Sequence, residues 1–162
     1  MINAEARKAQ PKGRRPATLQ MKTTILTIDP CDNRYGTVGD WIFAENGDLL
    51  VTTTRCGNKD TELLVAVHEL VEAYLCRRDG IDEEVVSAWD IAHPDAEEPA
   101  EVEGSPYFNH HACAIEVEKV ICKYLNIDWE EHQQRVADIA NEVDKCVAIQ
   151  QPNSPSDSEK AS

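Results

Sequence analysis

His68, Glu69 and Glu72 are the residues of this chain whose types and spacing point most directly to chemistry. In Val67-His68-Glu69-Leu70-Val71-Glu72-Ala73 the histidine and the second glutamate are four apart. On a helix both project from one face, about one turn apart. An imidazole and a carboxylate so placed can meet one small cation. Glu69 points into a neighbouring sector, where it can hold a metal-bound water without displacing a ligand. Two ligands one turn apart with a general base between them is the arrangement of a metallohydrolase. His68 shares its face with Leu64, Val71 and Leu75, and Glu72 shares its face with Val65 and Cys76. Ionised carboxylates in such an apolar run are costly unless paired, protonated or bound to metal. The plainer alternative puts Glu69 and Glu72 on the solvent side and makes His68 a hydrogen-bonded core histidine.

A third ligand has to come from another segment, and His111 is the first choice. Counted along a helix, His111, Ile115, Glu118, Cys122 and Leu125 form a single stripe, so a second histidine and a further carboxylate, Glu118, face inward. His110 is the rival; it is adjacent but points about 100° away. Two helices that each present His and Glu inward can clamp one metal, or two, as carboxylate-rich bundles do. The expected cofactor is a divalent metal, with zinc first and manganese or iron as alternatives. His93 is expected on an exposed loop, and Glu116 and His132 on the surface. Tyr74, Tyr107 and His110 are the candidates for stabilising an oxyanion.

The elements that must position these residues follow from periodicity and punctuation. Residues 23–29 alternate threonine with branched apolars and predict a strand. Asn46-Gly47 between Trp41–Ala44 and Leu49–Thr54 predicts a hairpin with both turn residues at positive φ. A small antiparallel sheet is therefore expected first. From about Asp60 the period changes to that of a helix, which ends at Arg77-Arg78 and Gly80. A shorter helix is capped by Asp82. Residues 92–107, with Pro94, Pro99, Pro106 and five acidic residues, predict a long loop. A third helix runs from about Asn109 to Leu125 with Asn126 at its end, and a fourth follows Asp128 through Val147. Strands followed by helices make an α+β pattern. Its expected extent is one domain over residues 21–150, between a disordered basic arm at 1–20 and a disordered tail at 151–162.

Charge narrows the partners. The 162 residues carry a formal net charge of −14. Residues 1–22 hold six basic residues against Glu5, and residues 151–162 sum to −1, which leaves −18 on residues 23–150. An acidic body disfavours nucleic acid and anionic lipid, except through the basic N-terminal arm, and suits a basic protein partner or a basic or neutral substrate. Met21 is a plausible alternative start, since a strand-like run opens directly behind it. No run approaches the ~20 apolar residues of a membrane span. No apolar segment marks a secretory signal, so a cytoplasmic location is expected. The six cysteines contain no C-x-x-C pair, and in that context reduced thiols are expected, with Cys76 and Cys122 packed as small hydrophobes. Phosphate-binding glycine loops, a G-x-S-x-G elbow and an EF-hand loop are absent from the sequence.

His68-Glu69-Leu70-Val71-Glu72 on a helix that follows a small sheet resembles the active-site helix of zincin-like metallopeptidases. That family carries H-E-x-x-H, with a later His, Asp or Glu as third ligand and the first Glu as general base. The resemblance implies His68 as ligand, Glu69 as base and His111 as the later ligand. Position 72 is Glu where the family has His; a carboxylate also ligates zinc but shifts preference toward harder metals. More loosely, the whole chain is similar to small uncharacterised bacteriophage proteins, which implies no activity. Three functions are thus expected in competition: a divalent-metal hydrolase or peptidase, a non-catalytic acidic protein that engages a basic partner, and, third, a helical hydrolase of phosphate esters or nucleotides that holds magnesium on carboxylates.

Overall fold

The alternating and β-branched segments form strands β1 (Thr23–Ile28), β2 (Gly39–Phe43) and β3 (Leu49–Thr54), and the 3.6-period segments form helices α1 (Lys59–Asp79), α2 (Glu83–Ala92), α3 (Phe108–Leu125) and α4 (Trp129–Gln150). Single 3₁₀ turns lie at Pro30–Asp32 and Pro99–Glu101. This computed structural model describes residues 21–34, 36–96 and 98–150. The expected arm at 1–20 and tail at 151–162 lie outside the described residues.

The class is α+β, as expected, but the sheet is mixed rather than antiparallel. Its order is β1-β3-β2, with β1 parallel to β3 and β2 antiparallel to it. The reason lies in β3, whose Leu49, Val51, Thr53 and Thr54 are all buried. A strand of that character takes the centre of the sheet. The segment between β1 and β2 therefore has to pass the end of β3 and deliver β2 to its far side. The hairpin forms at Glu45–Asp48, with Gly47 N–H donating to Ala44 O at 2.8 Å. Gly47 alone there has positive φ (85°), and Asn46 instead accepts from Asp48 N–H through its side chain. That is a type I turn followed by a left-handed glycine, the longer hairpin alternative to the expected two-residue turn.

Helix α1 begins at Asn58, whose side chain accepts from the backbone N–H groups of Asp60 and Thr61, and ends at Gly80 in the left-handed region. One side of α1 lies on the sheet, where Ala66, Ala73 and Cys76 pack with Trp41, Leu49 and Val51. The adjacent side packs against α3, with Asn126 at φ 55° closing α3. Cys76 and Cys122 are buried as expected. Leu125, expected on the inward stripe of α3, is exposed because it occupies the last turn. Helix α4 is seated by Val38, Val65, Ile139 and Val143.

The expectation of six reduced thiols is corrected. Cys31 and Cys146, 115 residues apart, are joined in a disulfide. Packing of the first 3₁₀ turn against α4 brings them together, and no sequence spacing encodes that approach. In denaturant without reductant, four thiols should react with a chromogenic thiol reagent, and six after reduction. Reduction should cost about 2–4 kcal/mol of stability, read as a lower midpoint in a urea titration. Six reactive thiols at the outset would show the pair to be open.

Candidate metal centre

Helix α1 sets two groups at the centre and α3 supplies the third. His68 and Glu72 project one turn apart from α1, and His111 enters from the first turn of α3. Their donor atoms form a small triangle. His68 Nε2 lies 3.1 Å from His111 Nδ1, Glu72 Oε2 lies 3.0 Å from His111 Nδ1, and His68 Nε2 lies 3.6 Å from Glu72 Oε2. Donors held at zinc bond lengths and tetrahedral angles stand about 3.3 Å apart, so these three atoms are spaced as ligands of one ion would be. Among the described residues, this trio is the group able to hold a metal ion. The sequence reading named all three.

The atoms that face away from the triangle are held too. Glu118 accepts a hydrogen bond from His68 Nδ1–H at 2.9 Å, so that in the neutral ring the lone pair lies on Nε2, on the side of the triangle. Trp41 Nε1–H donates to Glu72 Oε1 at 3.0 Å. Such outer partners orient ligands and raise their basicity. Trp41 escaped the sequence reading because a tryptophan in an apolar strand looks like core alone. It is core, at 3% exposure, but its N–H finds a buried acceptor as large amphipathic rings usually do.

The field at the centre is negative. Burial opposes a charge on His68, but the carboxylates of Glu118 and Glu72 outweigh it and hold His68 well above the ordinary imidazole value. Burial pushes Glu72 up, yet its hydrogen bonds to His111 and His68 bring it down to about 2. Glu118 likewise stays below the usual carboxylate range, through His132 and His68 and against its burial. Glu69 behaves oppositely: burial, and then the neighbouring Glu72 carboxylate, hold it well above its ordinary value. Glu69 is three residues from Glu72 and so flanks the triangle on the same helix. Its side chain crosses Gly39 of β2, where a Cβ would stand 2.6 Å from Glu69 Cγ. Glycine at 39 is thus the condition for Glu69 to lie where it does.

The remaining candidates fall elsewhere. His110, the rival ligand, donates from Nε2–H to Asp79 Oδ2 at 2.9 Å and is not part of the trio. Glu118 stands behind His68 and not at the triangle. His93, expected on an exposed loop, is half-buried at the end of α2, with Nδ1–H donating to Trp89 O and its ring 4.1 Å from that of Trp89. Tyr107 is buried and donates to Asp90 Oδ1 at 2.5 Å, while Tyr74 is 62% exposed, so neither phenol is placed as an oxyanion donor. His132, expected at the surface, is 1% exposed and bonded to Glu118 Oε1 at 2.7 Å. The acidic residues beside it in sequence pointed outward, but the 100° step of the helix turns His132 into the bundle.

Comparison with family models, curated proteins and solved structures returns no match. The geometry of the centre therefore carries its functional reading. Among the described residues, no helix is long and apolar enough to cross a membrane.

Proposed function

We propose that this chain is a zinc-dependent hydrolase of the peptidase type, with His68, Glu72 and His111 as ligands and Glu69 as general base. The observation that carries the reading is the triangle of three buried or half-buried donors at 3.0–3.6 Å. Two imidazoles and one carboxylate form a donor set of catalytic zinc sites, which keep a position open, whereas structural sites close with four protein ligands. Manganese and iron(II) are the alternatives that the carboxylate admits. A bound divalent cation supplies Lewis acidity toward water and a substrate carbonyl. The chain's own residues do the rest. Glu118 and Trp41 hold the ligands, the small exposure of the His68 and His111 side chains leaves an approach from solvent, and Glu69 accepts the proton of the attacking water. Glu98, 3.9 Å from His111 Nε2, brings the acidic loop 92–107 to this edge and favours a basic or neutral substrate.

Elemental mass spectrometry of the purified protein tests the assignment. Stoichiometric metal, lost in a His68→Ala variant, is the expected result. Metal absent from both, with no uptake of added zinc, manganese or iron, would overturn it. The −18 charge of residues 23–150 would then favour the second reading, a non-catalytic protein that engages a basic partner.

A further inference from the structure

His132 performs no role in the reading above, yet its surroundings are not those of a residue kept for packing. Its side chain is almost fully enclosed near the start of α4, with the Trp129 ring 5.6 Å away. Nε2 lies 2.7 Å from Glu118 Oε1, and Nδ1 is buried without a hydrogen-bond partner. An unpartnered buried nitrogen is costly, and an apolar ring of similar size would fill the space without that cost. What the imidazole adds over such a ring is one N–H, aimed at one carboxylate oxygen. The other oxygen of the same carboxylate accepts from His68 Nδ1–H at 2.9 Å. Glu118 is therefore gripped from both sides, by α4 and by α1. The network requires His132 protonated at Nε2 and His68 protonated at Nδ1.

We infer that His132 is a positioning residue for the metal centre: it fixes the Glu118 carboxylate, which in turn fixes the ring and tautomer of His68. The inference rests on the His68–Glu72–His111 metal reading. The physical requirement is plain. With one oxygen unheld, a carboxylate on a three-torsion side chain can rotate away, and His68 then loses both its orientation and the polarisation that makes Nε2 a good donor. Partners of this kind typically change metal affinity about 10–100-fold.

The test is zinc affinity of the full chain, by competition with a chromophoric chelator, together with the visible absorption of the cobalt(II)-loaded protein. His132→Phe keeps the ring and removes the N–H. It should weaken zinc binding about 10–100-fold and shift the cobalt spectrum, while the metal-free protein still melts cooperatively, at a midpoint lowered by the unsatisfied Glu118 oxygen. His132→Gln, whose amide can donate to Glu118, should recover most of the affinity and the parental spectrum. Glu118→Gln should weaken zinc as well, and combining it with His132→Phe should add little, because both act on one chain of contacts. Parental affinity in His132→Phe would overturn the inference, as would equal loss in both His132 variants or fully additive losses with Glu118→Gln. If His132→Phe does not fold, His132→Leu, which also lacks the N–H, takes its place under the same criteria. A parent chain that takes up neither zinc nor cobalt would instead overturn the metal reading itself.

Discussion

Replacing Glu69 by glutamine is expected to lower turnover by about 10²–10⁴-fold while the metal stays bound. Glutamine has nearly the same shape, so it can cross Gly39 of β2 as the glutamate does, and His68, Glu72 and His111 keep their places. What is lost is the proton acceptor. The stability expected of the variant separates this from a structural effect. Glu69 is half-buried beside the Glu72 carboxylate, and that surrounding disfavours its charge. A neutral amide should leave the thermal midpoint unchanged or raise it. The measurement is cleavage of a pool of neutral and lysine-rich peptides, followed by mass spectrometry, with metal content determined on the same sample. Unchanged cleavage would remove Glu69 from the mechanism. A parent chain that binds zinc but cleaves nothing in the pool would favour a binding role for the acidic surface.

Stripping the metal should cost stability as large as any single side chain contributes. At free zinc about a thousand times Kd, binding to the native state alone contributes about 4 kcal/mol, worth roughly 10–15 °C in midpoint for a chain of this size. Here the effect has a structural basis beyond mass action. The triangle bridges α1 and α3, and without a cation its negative field rests on hydrogen bonds among His68, Glu72 and His111. Thermal melts in excess chelator and in excess zinc should differ by that amount, and the difference should vanish in His111→Ala. A midpoint that ignores zinc in the parent would contradict a preformed site.

The order of elements was legible because its signals are local. Asn58 and Gly80 bracket α1, Asn126 and Asp128 punctuate α3 and α4, and the change from period two to 3.6 near Asp60 marks where the sheet ends. The candidate trio of His68, Glu72 and His111 was legible for a related reason. Residues four apart on one helix must share a face whatever surrounds them, and His111 lay on a stripe whose other members were apolar or acidic.

What the sequence by itself determined, then, is which residues sit on which face of which element: the α+β order, the His68–Glu72 pair, and the inward stripe of His111 and Glu118. Tertiary structure alone decided how those faces meet. It placed β1 parallel to β3 because the most buried strand takes the sheet's centre. It paired Cys31 with Cys146 across 115 residues, brought Glu118 of α3 against His132, and gave Trp41 a carboxylate partner on α1. Each of these is a contact between residues on different elements. Helical and strand periods carry angles but no distances, so no count along the sequence can bring two such elements together.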